Sequence, residues 1–119
     1  MTWTYKQSTG EIFHNGSKVD TGYSGVLTNK NNPDRQQVRN MGPLPRGTYA
    51  ITGHGSSKGP VTIILEQRSG ETFGRNGFLI HGDRRNKPQG FASAGCIILR
   101  VSTRNRILMS GDNHLEVIR

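Results

Sequence analysis

The chain has 119 residues and carries 16 Lys and Arg against 8 Asp and Glu, a formal net charge of +8. A chain of that length buries one modest core, so residues 1–119 read as one domain. The lone cysteine excludes an internal disulfide framework, and no apolar run approaches the ~20 residues that span a bilayer; the positive charge attracts polyanions without choosing among nucleic acid, anionic lipid and cell wall polymer.

The opening MTWTYKQSTG lacks the basic start and apolar run of a secretory signal, so no signal peptide is expected. Trp3–Gln7 and Glu11–Phe13 read as strands joined across Ser8-Thr9-Gly10, a hairpin signal. Ser17 to Gly25 continues as a further β segment, and Thr28 to Gly47 is polar and rich in turn residues, the longest irregular stretch. Thr48–Thr52 alternates, whereas Val61–Leu65 is a β-branched apolar run expected in a buried strand, with GHGSSKGP as the turn between them. Phe78–His81 is a short strand ending at His81, and RRNKPQGFASAG forms a second loop. Ser102-Thr103 supply N-cap types for a helix that ends near Gly111, and HLEVI closes the chain as a strand. The sum is a mainly β fold, a compact sheet or sandwich with one or two short helices.

The chemistry concentrates in FLIHGDRRNKPQGFASAGCIIL, where His81 ends a strand and Cys96 follows a loop. A thiol becomes a nucleophile as thiolate, which needs a base or an electropositive setting. His81 is the candidate base, and a short helical turn at Gly95-Cys96-Ile97 is expected to lower the thiol pKa. Gly95 suits a sharp turn whose amides, with that of Cys96, face an oxyanion, and Ser93 is a candidate to cap the turn or to hydrogen-bond the site. Asp83, after Gly82, is a candidate to orient the imidazole, a role a backbone carbonyl fills equally well. Equally, Cys96 before Ile97-Ile98-Leu99 fits a small buried hydrophobe, and His81 fits a hydrogen-bonded histidine at a sheet edge. The spacing of His14, His54 and His114 around one cysteine does not suit a structural zinc site.

The order His-Gly, loop, Ser-x-Gly-Cys-Ile resembles the signature of the YkuD-type L,D-transpeptidases, cell wall enzymes with a cysteine nucleophile. WTYKQSTGEIFHNG, GYSG, GPLPRGTYAI and GFLIHGDRR with ASAGCIIL together resemble, from Trp3 to Ile118, the L,D-transpeptidase-like toxins injected by type VI secretion. The resemblance implies a single mainly β catalytic domain with Cys96 as nucleophile, His81 as base, and Ser93 and Gly95 in the same signature. The implied substrate is the peptidoglycan stem tetrapeptide, from which D-alanine is released by hydrolysis, exchanged for another D-amino acid, or replaced in a crosslink. No cofactor is implied. A cognate immunity protein and secretion components are implied as partners, with storage in the producer's cytoplasm and delivery to the target's periplasm, and with neither nucleic acid binding nor membrane insertion. Where the broader family often has His and Arg, this chain has Ala94 and Ile98, so Arg84, Arg85 and Arg100 become the candidates to hold a substrate carboxylate. Asn40 and Arg46 are candidates for the cleft mouth, although GPLPRGTY also reads as a turn feeding a strand, and Tyr23 reads as packing.

Two other classes compete. A non-catalytic basic module binding cell wall or nucleic acid predicts salt-sensitive binding that survives Cys96→Ala. A cysteine peptidase of the cell wall amidase kind would place Cys before His, the reverse of the order in this chain.

Overall fold

Alternation organises the fold from its first strand, where Trp3 and Tyr5 point inward and Thr4 and Lys6 stay partly exposed. The computed structural model describes residues 2–83 and 95–119. Strand β1 (Trp3–Lys6) turns through Gly10 into antiparallel β2 (Glu11–His14), the expected hairpin, and β3 (Ser17–Thr21) adds to β2. The last strand, β9 (His114–Ile118), returns parallel to β1 with Trp3 opposite Leu115 and Tyr5 opposite Val117. All four of those side chains are buried, so the first and last strands jointly build the centre of the core. On its other side β9 pairs antiparallel with β5 (Gly47–Gly55), which pairs with β6 (Thr62–Ser69). Then come β7 (Leu79–His81), β8 (Ile97–Ile98) and β4 (Tyr23–Ser24), giving the order β3-β2-β1-β9-β5-β6-β7-β8-β4.

The two edge strands of that sheet, β3 and β4, are consecutive in sequence and separated only by Gly22. A sheet whose opposite edges are one residue apart must curl until they meet, and the result is nearly closed. Glycine makes the seam feasible. A Cβ on Gly22 would lie 1.9 Å from the Ile98 carbonyl oxygen, and one on Gly10 would lie 2.0 Å from that of Gly22. The closed sheet wraps a core of Trp3, Tyr5, Ile12, Tyr49, Ile63, Ile80, Ile97 and Leu115, sealed by Ile107 of the helix.

The mainly β expectation holds, with 39% strand and one α-helix among the described residues. Three local expectations change. Val61–Leu65 is not buried throughout: β6 alternates, so Ile63 and Leu65 face the core while Ile64 is 40% exposed. The GHGSSKGP turn is shorter than expected, because β5 runs on through Gly55. The helix, α1 (Val101–Met109), starts one residue before Ser102 with Arg100 at the N-cap and no side-chain cap. The Thr103 hydroxyl instead donates to Asp20 at 2.6 Å, which ties the helix to β3. The helix end matches the expectation, with Ser110 as C-cap and Gly111 left-handed at φ 72°.

Candidate active site

β7 and β8 run parallel, with Ile80 opposite Ile97 and His81 opposite Ile98. Ile80 and Ile97 face the core, so His81 and Ile98 belong to the other face of the sheet. Extending the register by one pair sets Cys96 opposite Leu79, two residues from His81 on the neighbouring strand. Strand spacing and rise then give a diagonal of about 8 Å between the Cα atoms of His81 and Cys96.

At the His81 end, the ring is buried and its Nδ1 lies 3.0 Å from the Gly82 carbonyl. A carbonyl only accepts, so Nδ1 carries the proton and Nε2 is the basic nitrogen. The orienting partner is thus the backbone carbonyl that the sequence left open beside Asp83, whose carboxylate accepts from the Tyr23 hydroxyl. The backbone of His81 is held as well, its carbonyl accepting from the Leu99 amide at 3.0 Å. Arg104 anchors this end from below. Its guanidinium donates to the carbonyls of Leu99, Pro60 and Val61, and a Cβ on Gly82 would lie 2.7 Å from its Nη2.

At the Cys96 end, the expected helical turn is absent. Gly95 and Cys96 form a bend that feeds directly into β8, because Ile97 and Ile98 are claimed by the edges of β7 and β4. Among the described residues no helix begins at Cys96 to lower the thiol pKa. Burial pushes the Cys96 thiol up, while the Leu79 amide, Lys58 and Arg75 pull it back. The sulfur also lies 3.9 Å from the Gly77 carbonyl, so it sits where the β7–β8 ladder ends. The Cys96 carbonyl accepts from the Ser24 hydroxyl at 2.9 Å, and that oxygen accepts from the Leu44 amide at 2.8 Å.

The residue that sequence reading missed is Arg75, which is only 7% exposed. Its guanidinium donates to the carbonyls of Gln36, Gly42 and Pro43 and lies 5.9 Å from the Phe78 ring centroid. Burial lowers its pKa, although a guanidinium stays charged in this range. Gly95 has φ 109°, and a Cβ there would meet Arg75 Nη2 at 2.0 Å. Both the backbone and the arginine therefore require glycine beside the cysteine. The signal that could have found Arg75 is weak: an arginine in Gly-Arg-Asn-Gly reads as a surface turn.

A cleft of about 160 Å³ opens beside Cys96, lined by Arg39, Asn40, Arg75, Asn76, Phe78 and Gly95 among others. Asn40 thus stands at the cleft as expected, whereas Arg46 does not line it; the Arg46 amide donates to Gln36 Oε1 instead. Arg100 also lies elsewhere, its Nε 3.1 Å from Asp20 Oδ2. It borders a different cleft, with Tyr23, Gly82 and Asp83. Arg84, Arg85 and Ser93 lie outside the described residues. Among the described residues no cluster of three His, Cys, Asp or Glu is arranged to hold a metal ion.

A small, nearly closed β sheet with a histidine ending one strand and a cysteine just before its parallel neighbour is the class these observations define. Residues 18–117 match the Tlde1 domain, and the chain belongs to that family, whose members are type VI secretion effectors. Such effectors are delivered into target cells, and the family brings with it immunity and secretion partners. No curated protein matches the chain.

Proposed function

We propose that the protein is an antibacterial L,D-carboxypeptidase or L,D-transpeptidase, its residues 1–119 forming one catalytic domain that acts on peptidoglycan stem tetrapeptides in the target periplasm. The reading rests on one observation above the others: His81, with Nε2 as its basic nitrogen, ends β7, and Cys96 immediately precedes β8, the strand paired parallel to it. The sequence signature and the effector family agree with it.

Burial keeps the resting thiol protonated, so the chemistry needs a base at the moment of attack. His81 Nε2 takes the thiol proton, and Cys96 Sγ adds to the carbonyl of the third stem residue. The tetrahedral oxyanion is met by the amides at Gly95 and Cys96, the turn that Arg75 and Ser24 hold in place. Collapse breaks the C–N bond, and His81 returns the proton to the amine of the departing D-alanine, leaving a thioester on Cys96. Water then yields a tripeptide, a free D-amino acid yields an exchanged tetrapeptide, and the side-chain amine of a second stem yields a crosslink. In each branch the thiol is regenerated.

The test is mass spectrometry of purified tetrapeptide muropeptides incubated with the protein, with and without added D-methionine. Wild type is expected to remove or replace D-alanine, whereas Cys96→Ala and His81→Ala lose at least about 10³-fold in rate. Unchanged tetrapeptides, with salt-sensitive binding that survives Cys96→Ala, would favour a non-catalytic basic module instead.

A further inference from the structure

The cleft beside Cys96 has a one-sided chemistry. Two arginines, Arg39 and Arg75, line it with the side chains of Asn40 and Asn76, and no Asp or Glu is among its described lining residues. The two arginines differ in what they have left to give. Arg75 is buried, with its donors directed at the carbonyls of Gln36, Gly42 and Pro43, so it contributes a fixed charge. Arg39 is exposed, and among the described residues its guanidinium makes one hydrogen bond, from Nη2 to the Gly74 carbonyl at 3.1 Å. A guanidinium has five N–H donors in a planar fork, so most of Arg39 is available for a planar anion.

Arg39 is also held in position. The carbonyls that Arg75 binds, at Gln36, Gly42 and Pro43, flank it in sequence on both sides, so Arg75 fastens the segment carrying Arg39 to its own turn, and its guanidinium packs against Gly95 beside Cys96. The Gly74 carbonyl is one residue from Arg75 and fixes the fork from the other wall. A cation pre-positioned in this way binds an anion without the entropic cost of ordering a long side chain at the moment of binding.

We propose that this cleft is a carboxylate subsite, in which Arg39 grips the C-terminal carboxylate of the acyl-donor peptide while its scissile carbonyl lies against Cys96. The proposal rests on the reading of Cys96 as an acyl-transfer nucleophile. In a tetrapeptide the terminal carboxylate is one residue from the bond to be broken, which matches a cationic fork on the wall of the same small cleft. The subsite selects peptides that end one residue past the scissile bond. It takes over the part that Arg84, Arg85 and Arg100 were candidates to play, and Arg100 is already engaged by Asp20.

Two measurements on the full chain test it. The first compares Cys96 alkylation by iodoacetate, an anion, with alkylation by neutral iodoacetamide; Arg39→Gln is expected to lower the rate ratio about fivefold, and Arg39→Lys to lower it less. Arg35→Gln, an exposed arginine that does not line the cleft, is expected to leave the ratio unchanged. The second compares kcat/KM for the tetrapeptide acid with that for its C-terminal carboxamide. The preference of wild type for the acid is expected to fall about tenfold in Arg39→Gln, with turnover of the amide retained. Unchanged ratios in both measurements would overturn the subsite while leaving the acyl-transfer reading intact. A wild type that turns over neither peptide would overturn that reading and the peptide ligand with it, whereas the alkylation ratio would still decide whether Arg39 makes an anion site.

Discussion

The two ends of the β7–β8 pair are built alike and work differently. Each has a glycine next to the residue of interest, Gly82 after His81 and Gly95 before Cys96, and each glycine is roofed by a buried arginine. Arg104 spends its donors on the carbonyls of Leu99, Pro60 and Val61, tying together β8, α1 and the turn before β6. Arg75 likewise binds three carbonyls, but it also borders an open cleft and lowers the pKa of the neighbouring thiol. The His81 end is held mechanically; the Cys96 end is held and electrostatically tuned. One motif of buried arginine over glycine thus does two jobs, according to whether the arginine also borders the cleft beside the thiol.

The sharpest test of that comparison uses the glycines. Gly95→Ala adds a Cβ 2.0 Å from Arg75 Nη2 at φ 109°, so it combines a clash with a backbone that L side chains avoid. A loss of about 3 kcal/mol in denaturant unfolding is expected, with loss of turnover. Gly82→Ala meets Arg104 Nη2 at 2.7 Å without a positive φ, and about 1 kcal/mol is expected. Equal losses would mean that the two ends carry the same strain.

The arginines come next. Arg104→Met strands three carbonyls, that of Leu99 in a buried contact, and is expected to cost about 2 kcal/mol, while Cys96 in the folded protein is alkylated by iodoacetamide at the wild-type rate. Arg75→Met strands three carbonyls as well, so its stability loss is expected to be similar. The difference lies in the pH profile. Arg75 lowers the Cys96 pKa, so removing its charge raises that pKa further and moves the alkylation profile to higher pH. That shift is expected to slow alkylation at pH 7 by about threefold or more. A profile that Arg104→Met moved as far as Arg75→Met would erase the distinction between the ends.

Much of the scaffold was legible because strands advertise themselves by alternation. The β1–β2 hairpin, β9 and the end of α1 at Gly111 all follow from period and turn chemistry. The insertion of β9 between β1 and β5 was not legible, because register across the whole chain depends on side chains that meet only after closure. Cys96 and His81 stood out as residue types in a recognisable order. Their surroundings did not: Arg75 and Ser24 act through carbonyls supplied by distant segments, and a short sequence window shows neither their burial nor their partners. The helical turn expected at Cys96 failed for a related reason, since the pairing of Ile97 and Ile98 with β7 and β4 outweighed local turn chemistry.

The smallest effect separates two charges at the Cys96 end itself. Lys58 and Arg75 both lower the thiol pKa, but Lys58 is exposed and Arg75 is buried. Salt screens a charge acting through solvent, with a Debye length of about 3 Å at 1 M, and screens a buried one much less. Lys58→Gln is therefore expected to slow iodoacetamide alkylation about twofold at low salt and to have no effect at about 1 M salt. The Arg75→Met shift is expected to persist at both. If salt abolished both effects alike, Arg75 would be acting through water, and its burial against Gly95 would serve the fold in the same way that Arg104 does. Persistence in one and loss in the other would establish that the tuning of Cys96 is built into the core rather than borrowed from the protein's general positive charge.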